Sequence, residues 1–133
     1  MASVIPESHA DLVKRDRKAF AHLAIITKNG KPHVTPTWFD YDGEHIIFNT
    51  ARGRLKDKTM RQLPAVALAI SDPANPYRYI QIRGQVVSES EEGGYEQICD
   101  LNLKYRGDRN YPRVPGQVRV TYRVRPEHVT TMG

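Results

Sequence analysis

Residues 21–50 have the sequence AHLAIITKNGKPHVTPTWFDYDGEHIIFNT, in which three runs rich in apolar and β-branched residues alternate with two tight-turn signals. The turn signals are Asn29-Gly30 and Asp42-Gly43, dipeptides that favour two-residue hairpin turns because they tolerate a positive φ. The pattern predicts three antiparallel strands joined as a meander, at residues 21–27, 33–41 and 44–50. Parallel strands need a long crossover, so these short turns argue against a Rossmann-type sheet.

Pro36 stands inside the second predicted strand. Proline lacks an N–H group, so within a sheet it is expected at an edge, a bulge or a kink. One interpretation places Pro36 on an edge strand. The other is that the backbone leaves the ladder here and offers its polar groups to a ligand.

Residues 49–61 follow directly, with the sequence NTARGRLKDKTMR. Five of these side chains are basic and one is acidic, so the stretch carries a formal charge of +4, against +5 for the whole chain. It follows a predicted strand, turns at a glycine and continues as the start of a helix, where backbone N–H groups are expected to lie open. Such a turn favours a phosphate or another anion. A nucleic-acid patch and a solvated surface are the alternatives.

The rest of the chain predicts helices at residues 6–20, 55–63 and 91–105, and strands at residues 65–71, 77–88 and 117–125. The strand at 65–71 is apolar at nearly every position, which is typical of burial on both faces. Gly84 is expected at a bulge or a close backbone approach. Ser88 or Ser90 is the expected N-cap of the third helix. The last strand alternates and places three arginines on one face: Arg119, Arg123 and Arg125.

These elements predict a mainly β fold of about six antiparallel strands with short peripheral helices. Closing the sheet into a small barrel removes most of its exposed edges. We expect a single domain over residues 1–133, with residues 1–20 as an N-terminal helical segment.

Composition excludes several classes of protein. No apolar run is long enough to cross a membrane and no signal peptide is evident, so we expect no membrane partner. The single Cys99 cannot form an intrachain disulfide, which favours the cytoplasm, and it is expected in the core. The five histidines show no ligand-like spacing, so no metal site is predicted.

The excess positive charge is local. Residues 1–51 are balanced, residues 83–103 carry one basic and five acidic side chains, and residues 104–125 carry seven basic and one acidic. Two basic blocks separated by an acidic segment suit a polyanionic small ligand at least as well as nucleic acid. Because no nucleic-acid-binding motif accompanies them, we expect no nucleic-acid partner.

Several motifs occur together in a fixed order: NGKPHVTPTWF at 29–39, Asp42-Gly43, Arg54-Leu55-Lys56, DPANPYRYI at 72–80, and Arg83-Gly84. In this order and spacing the chain resembles the pyridoxamine 5'-phosphate oxidase-like family of flavin- and deazaflavin-dependent oxidoreductases. Within that family it is most similar to the branch that uses coenzyme F-420. The resemblance covers residues 6–129.

The resemblance implies a split β-barrel of the FMN-binding type, paired as a homodimer with cofactor sites at the subunit interface. Arg54 and Lys56 would hold the cofactor phosphate, with Arg52 and Lys58 nearby. Lys58, Arg61 and the 104–125 block would be candidates for an anionic tail. The cofactor-binding residues that it implies are Thr35, Pro36, Thr37, Trp38, Asn49, Thr50, Ala51, Arg54, Leu55, Lys56, Lys58, Tyr77 and Tyr79.

The function implied is a coenzyme F-420-dependent oxidoreductase that transfers a hydride to a conjugated small organic substrate. Since the cofactor carries this chemistry, no catalytic residue is predicted. The alternatives are an FMN-dependent oxidoreductase or flavin-binding protein, a deazaflavin-binding or storage protein without turnover, and a nucleic-acid-binding barrel.

Overall fold

The computed structural model describes residues 4–133, which form a seven-stranded antiparallel sheet and three short helices. The strands are β1 (Ala21–Ile26), β2 (Pro32–Thr37), β3 (Asp40–Tyr41), β4 (Ile46–Ala51), β5 (Ala65–Asp72), β6 (Asn75–Ser90) and β7 (Arg119–Met132). The helices are a 3-10 helix (Glu7–Val13), α1 (Leu55–Gln62) and α2 (Gly94–Arg106). The strands follow the order β2-β1-β5-β6-β7-β4-β3, and the sheet curls into the expected split barrel with one strand more than predicted.

The first predicted hairpin is confirmed. Strands β1 and β2 pair antiparallel around Asn29-Gly30, and Gly30 has a φ of 76°. Strand β2 lies at one edge of the sheet, so Pro36 needs no ladder partner on its outer side. The structure therefore agrees with the first interpretation of Pro36, which placed it on an edge strand.

The predicted turn at Asp42-Gly43 is also confirmed, since it joins β3 to β4 as an antiparallel hairpin, but the predicted three-strand meander is wrong at its middle strand. The chain leaves the ladder at Trp38 and Phe39, so the predicted strand 33–41 becomes β2 and the short β3, which lie at opposite edges of the sheet. The cause is Phe39, whose ring is fully buried. Its N–H donates to Tyr105 Oη at 3.3 Å and its carbonyl accepts from Lys104 Nζ at 2.8 Å. Bonds to α2 thus replace those of the ladder.

The core lies inside the curl of the sheet. It contains the alternate residues Val66, Leu68 and Ile70 of β5, while the residues between them are half-buried or exposed. The prediction that β5 is buried on both faces is therefore wrong: only one face is buried. The apolar run AVALAI misled because its small alanines occupy the outer positions. The largest fully buried side chains are Tyr122, Phe39, Leu12, Leu23, Ile46, Met60, Ile70, Ile80, Ile82, Leu101, Val120 and Val124.

Strands β6 and β7 are the longest pair. Strand β6 extends beyond both of its predicted ends, whereas β7 begins two residues later than predicted and continues to Met132. Their register shifts next to Gly84, where an added Cβ would lie 2.2 Å from the carbonyl oxygen of Arg125. The predicted close approach at Gly84 is confirmed. The arginines of β7 do not form a uniform exposed face: Arg119 is buried, Arg123 is half-buried and Arg125 is exposed.

The N-terminal helical prediction is wrong in extent and type. Only Glu7–Val13 is helical, as a 3-10 helix, and Lys14 is extended, while residues 1–3 lie outside the described part of the chain. Ion pairs hold the segment in place: Arg78 pairs with Asp11 at 2.6 Å and Arg17 pairs with Asp72 at 2.6 Å. These long-range contacts stabilise the observed conformation more than a longer helix would, and local helix propensity does not reveal them.

Helix α1 ends before Pro64 as predicted. Helix α2 begins three residues later than predicted, and its N-cap is Gly93 in the left-handed conformation, with φ 71°, instead of Ser88 or Ser90. An added Cβ on Gly94 would lie 2.2 Å from the carbonyl oxygen of Arg119, so glycine is required where α2 crosses β7. Cys99 is buried on this helix, which confirms its place in the core. Within residues 4–133, the helices are too short and polar to cross a membrane.

Candidate functional site

A cleft of about 530 Å³ opens between the edge of the barrel, helix α2 and the loop that follows α2. A smaller cavity of about 180 Å³ adjoins it and shares Thr50, Arg54 and Lys56. The cleft is lined by Phe20, Pro36, Thr37, Trp38, Asn49, Thr50, Arg54, Lys56, Ile98, Leu101, Arg106, Tyr111, Pro112, Val114, Gln117 and Arg119. The smaller cavity is lined by Leu23, Ile25, His33, Thr35, Thr50, Arg54, Leu55 and Lys56.

The structure brings nine of the thirteen sequence-predicted residues to these two cavities. They are Thr35, Pro36, Thr37, Trp38, Asn49, Thr50, Arg54, Leu55 and Lys56. Ala51 is buried at the end of β4, and Lys58 is exposed on α1 outside both cavities. Tyr77 is 82% exposed and Tyr79 is half-buried on β6, and neither lines either cavity in one copy of the chain.

The turn before α1 is fixed by Arg52, whose guanidinium pairs with Asp57, Glu89 and Glu91 at 2.7–2.8 Å. Asp57 is fully buried and also accepts a hydrogen bond from Tyr122 Oη at 2.6 Å. Burial opposes ionisation of Asp57, but its pKa lies below the usual value because it accepts bonds from Tyr122, the Gly53 amide and Arg52. Arg52 therefore holds the turn together and is not free for a ligand.

The backbone of this turn is also committed. The amide of Arg52 donates to Val118 O at 2.9 Å, that of Gly53 to Asp57 Oδ2 at 2.9 Å, and that of Arg54 to Ala51 O at 3.2 Å. The expectation of open amides is wrong for these three residues, because the Asp57 carboxylate accepts from Gly53 and backbone carbonyls accept from Arg52 and Arg54. These three residues therefore offer no backbone donor to an anion.

Two of the five cations in residues 49–61 line the cavities. Arg54 and Lys56 line both, and Lys56 Nζ donates to Thr37 Oγ1 at 3.1 Å. Burial, and next the charge of Arg54, lower the pKa of Lys56. Arg61 lies 3.7 Å from Glu89 and joins the Arg52 network instead. The positive charge of Lys56 is thus poorly compensated by its surroundings.

Two further cations, Arg106 and Arg119, line the cleft and were not among the individually predicted residues. Arg119 is 7% exposed, and its Nη2 donates to Tyr111 Oη at 3.1 Å, while its Nε and Nη1 have no partner. Burial lowers the pKa of Arg119. The basic block 104–125 was the available signal, but alternation alone cannot show which of its arginines is buried.

One wall of the cleft is aromatic. Trp38 stacks on Tyr105 with centroids 5.1 Å apart and rings 7° from parallel, and Tyr111 meets Trp38 edge-on at 6.5 Å. Phe20 stacks on the same Tyr105 at 5.3 Å. The guanidinium of Arg106 lies 5.1 Å from the centre of the Trp38 ring. A flat apolar surface therefore stands beside the cations.

Behind this wall, Lys104 and Tyr105 anchor α2 to the backbone of Phe39. Lys104 Nζ lies 4.2 Å from the centre of the Phe39 ring, and the residue is 6% exposed. Burial lowers the pKa of Lys104 to about 8 and raises that of Tyr105 to about 12. Both groups hold the wall in place and neither lines the cleft.

The loop 107–118 covers the cleft and is fastened to α2. Tyr95 Oη donates to Tyr111 O at 2.5 Å, Asn102 Nδ2 donates to Asp108 O at 2.8 Å, and Arg109 pairs with Asp100. These bonds bring Pro112, Val114 and Gln117 to the cleft. Sequence reasoning missed these three because a polar, proline-containing loop has no periodicity that indicates a binding surface.

Asn49 connects the floor of the cleft to α2. Its Nδ2 donates to Gly94 O at 2.8 Å and to Gln97 Oε1 at 2.9 Å, and its buried Oδ1 has no partner. Within residues 4–133, no three His, Cys, Asp or Glu side chains gather as metal ligands would. No Asp or Glu lines the cleft or the smaller cavity.

Comparison with known proteins gives one family match and several structural matches. A family model described as pyridoxamine 5'-phosphate oxidase matches residues 5–133. Among solved structures, one called F420 Reductase is 33% identical, has a TM-score of 0.85, and the match covers 95% of this chain and 98% of that chain.

Two more distant structures share the fold. A conserved hypothetical protein from Mycobacterium tuberculosis is 21% identical, with a TM-score of 0.74 and coverage of 98% of this chain and 86% of that chain. General Stress Protein 26 from Bacillus anthracis is 17% identical, with a TM-score of 0.70 and coverage of 95% and 92%. A search of the curated proteins found no match.

Proposed function

The chain belongs to the pyridoxamine 5'-phosphate oxidase family, and from this premise we propose that it is a coenzyme F-420-dependent reductase of conjugated small organic molecules. The observation that carries the proposal is the make-up of the cleft. Four cations, Arg54, Lys56, Arg106 and Arg119, and an aromatic wall line one cavity without any acidic side chain.

The cleft fits a flat ring that carries anionic groups. Trp38 and Tyr111 provide apolar surface for a ring, and the unpartnered Nε and Nη1 of Arg119 leave a buried charge uncompensated. Arg54 and Lys56 would hold the phosphate, since charged side chains are the strong donors to phosphate oxygens. Lys56, whose Nζ already lies against Thr37, would also fix the orientation of the ligand relative to β2.

Coenzyme F-420 is favoured over FMN by the number of cations. FMN ends in one phosphate, whereas the deazaflavin continues into a carboxylate-bearing tail that needs further positive partners. Arg106 and Arg119 lie on the same cleft as Arg54 and Lys56 and can supply them. The solved structure called F420 Reductase, 33% identical to this chain, supports the same choice.

When bound, the deazaflavin supplies the hydride, and the protein supplies binding, orientation and exclusion of water. The aromatic wall limits access of water to one side of the cleft, and the loop 107–118, held by Tyr95 and Asn102, covers the other. Burial of Lys56 and Arg119 strengthens their interaction with anions, because the local dielectric constant is low.

We propose in addition that the protein acts as a homodimer. Tyr77 and Tyr79 lie away from the cleft of their own chain, so they would reach a cofactor only in the site of a second copy. The exposed apolar residues Ile26 and Val34, which are 56% and 65% exposed on neighbouring strands, offer surface for pairing.

The experiment that tests the function has two parts. Protein purified without flavin is titrated with coenzyme F-420 and, separately, with FMN, while fluorescence of each chromophore is followed. We expect micromolar or tighter binding of F-420 and weaker binding of FMN. Turnover of reduced F-420 with a panel of conjugated acceptors then separates a reductase from a storage protein. Tight retention of FMN without binding of F-420 would contradict the proposal.

A further inference from the structure

Arg119 has the least compensated charge among the cations of the cleft. It is 7% exposed, its only hydrogen bond runs from Nη2 to the neutral hydroxyl of Tyr111, and no ion pair joins it to an acid in residues 4–133. The other arginines that are not exposed each pair with at least one aspartate: Arg17, Arg52, Arg78 and Arg123. Arg119 is the exception.

The surroundings of Arg119 increase this imbalance. Arg119 lines the cleft and also a cavity of about 390 Å³ formed largely by the loop 107–118, and neither has an acidic lining residue. The nearby Arg54 disfavours the charge of Arg119 further. Tyr111 favours the charged form of Arg119 in two ways. Its hydroxyl accepts a hydrogen bond from the guanidinium, and its ring centre lies 5.1 Å from that group.

Backbone geometry holds Arg119 at this position. Arg119 pairs with Ala51 in the β4–β7 ladder, next to the turn that carries Arg54. Gly94 allows α2 to approach the Arg119 carbonyl, so the helix closes over the start of β7. A buried charge that is left without a partner is strongly destabilising. A fold that keeps such a charge beside an open cleft is suited to receive the missing anion from a ligand.

We propose that Arg119 binds an oxyanion, a phosphate or carboxylate group, of the molecule that occupies the cleft. The inference rests on the proposed function only for the identity of that molecule. The shared chemistry has two possible sources: an anionic group of the cofactor, beyond what Arg54 and Lys56 hold, or an acid group of the substrate.

The first test measures the increase in melting temperature caused by inorganic phosphate. It compares the wild type with Arg119→Met, which keeps an unbranched apolar stem but removes the guanidinium, and with Arg125→Met, a control on the exposed part of the same strand. We expect the wild type and the control to show the same increase, and Arg119→Met to lose at least half of it. Arg119→Lys, which keeps the charge but not the planar fork, is expected to fall between them.

The second test separates the two sources by fluorescence titration. If the anion belongs to the cofactor, Arg119→Met binds F-420 about tenfold or more weakly, as expected for a lost charge-assisted bond. The same variant then binds the deazaflavin chromophore without phosphate and tail as tightly as the wild type. If the anion belongs to the substrate, F-420 affinity is unchanged, but phosphate no longer stabilises the F-420-saturated variant as it does the wild type.

Equal phosphate-induced shifts in all variants, together with unchanged F-420 affinity, would overturn the inference and leave the proposed function intact. The opposite result is also possible: the wild type binds no F-420, but Arg119→Met still loses the phosphate-induced shift. That result would support the anion site and contradict the proposed function. If Arg119→Met does not fold, the decision passes to Arg119→Lys, whose phosphate-induced shift must be smaller than that of the wild type.

Discussion

At the scale of single residues, position in the fold decides what each cation does. Arg52 and Arg54 are two residues apart in one basic stretch. Arg52 pairs with three carboxylates and stabilises the turn, whereas Arg54 lines both cavities without a carboxylate partner. Net charge predicted an anion site, but only tertiary contacts with Glu89 and Glu91 separate the structural cation from the one that lines the cavities.

Lys56→Ala tests the ligand-binding role of the turn. We expect it to weaken F-420 binding by about 1–3 kcal/mol, because a charge-assisted contact from a desolvated ammonium group is lost. Titration by chromophore fluorescence measures the effect, and Lys28→Ala, in the exposed β1–β2 turn, is the control. Equal affinities for the two variants, both folded, would remove Lys56 from the site.

Lys104 should make stability depend on pH in the alkaline range. Its pKa is about 8 in the folded protein, against 10.5 as the ordinary value, because the ammonium group is buried. Between these values the unfolded chain binds more protons, so the free energy of unfolding rises with pH. We expect the wild type to gain on the order of 2 kcal/mol relative to Lys104→Met from pH 8 to pH 10.5. Urea unfolding at several pH values measures this difference, and a constant difference would contradict it.

At the scale of elements, the turn and helix α1 act as one rigid support for Arg54 and Lys56. Asp57 joins the Gly53 amide, Arg52 and the Tyr122 hydroxyl inside the barrel. The residue is fully buried, so each of these bonds is protected from water. Helix α1 was predictable from local sequence, whereas this anchor was not, because Glu89 and Tyr122 are far away in the chain.

Asp57→Asn is expected to destabilise the protein by on the order of 3 kcal/mol, since it leaves Arg52 with a weaker partner in a buried network. Urea unfolding at neutral pH measures the loss, and the exposed Asp16→Asn is the control. The variant should also bind F-420 more weakly, because the turn that carries Lys56 is loosened. A variant as stable as the wild type would show that the network does not support the turn.

The network around Asp57 also predicts that the free energy of unfolding depends on pH in the acid range. The pKa values of Asp57 and Glu89 lie below their ordinary values of 3.8 and 4.5. Their contribution to stability is therefore complete above about pH 4.5 and is lost as pH falls through the folded-state values. The difference in unfolding free energy between the wild type and Asp57→Asn should shrink below pH 4. A difference that grows in acid would have the wrong sign for this explanation.

At the scale of the whole molecule, sequence predicted the mainly β barrel, the first hairpin, α1 and nine of the residues that line the two cavities. It failed where distant parts of the chain decide local structure. Phe39 leaves the ladder because Lys104 and Tyr105 bind its backbone, and the N-terminal helix stops early in a segment held by Arg78. Arg119 could not be singled out, because its burial depends on α2 and the loop before it.

The proposed homodimer makes a prediction at this scale. Sedimentation equilibrium should give twice the mass of the 15.2 kDa chain. Val34→Glu, on the exposed edge strand β2, should shift the protein towards monomer, because it places a charge on apolar pairing surface. A wild type that sediments as a monomer at all concentrations would contradict the dimer.

We propose above all that this cleft binds a deazaflavin through its cations. Titration of the purified protein with coenzyme F-420 at low and high salt tests it most directly. We predict micromolar or tighter binding that is lost on the double change Arg54→Ala and Lys56→Ala and that weakens as salt screens the anionic groups. No binding by the folded wild-type protein, or equal binding by the double variant, would contradict the claim.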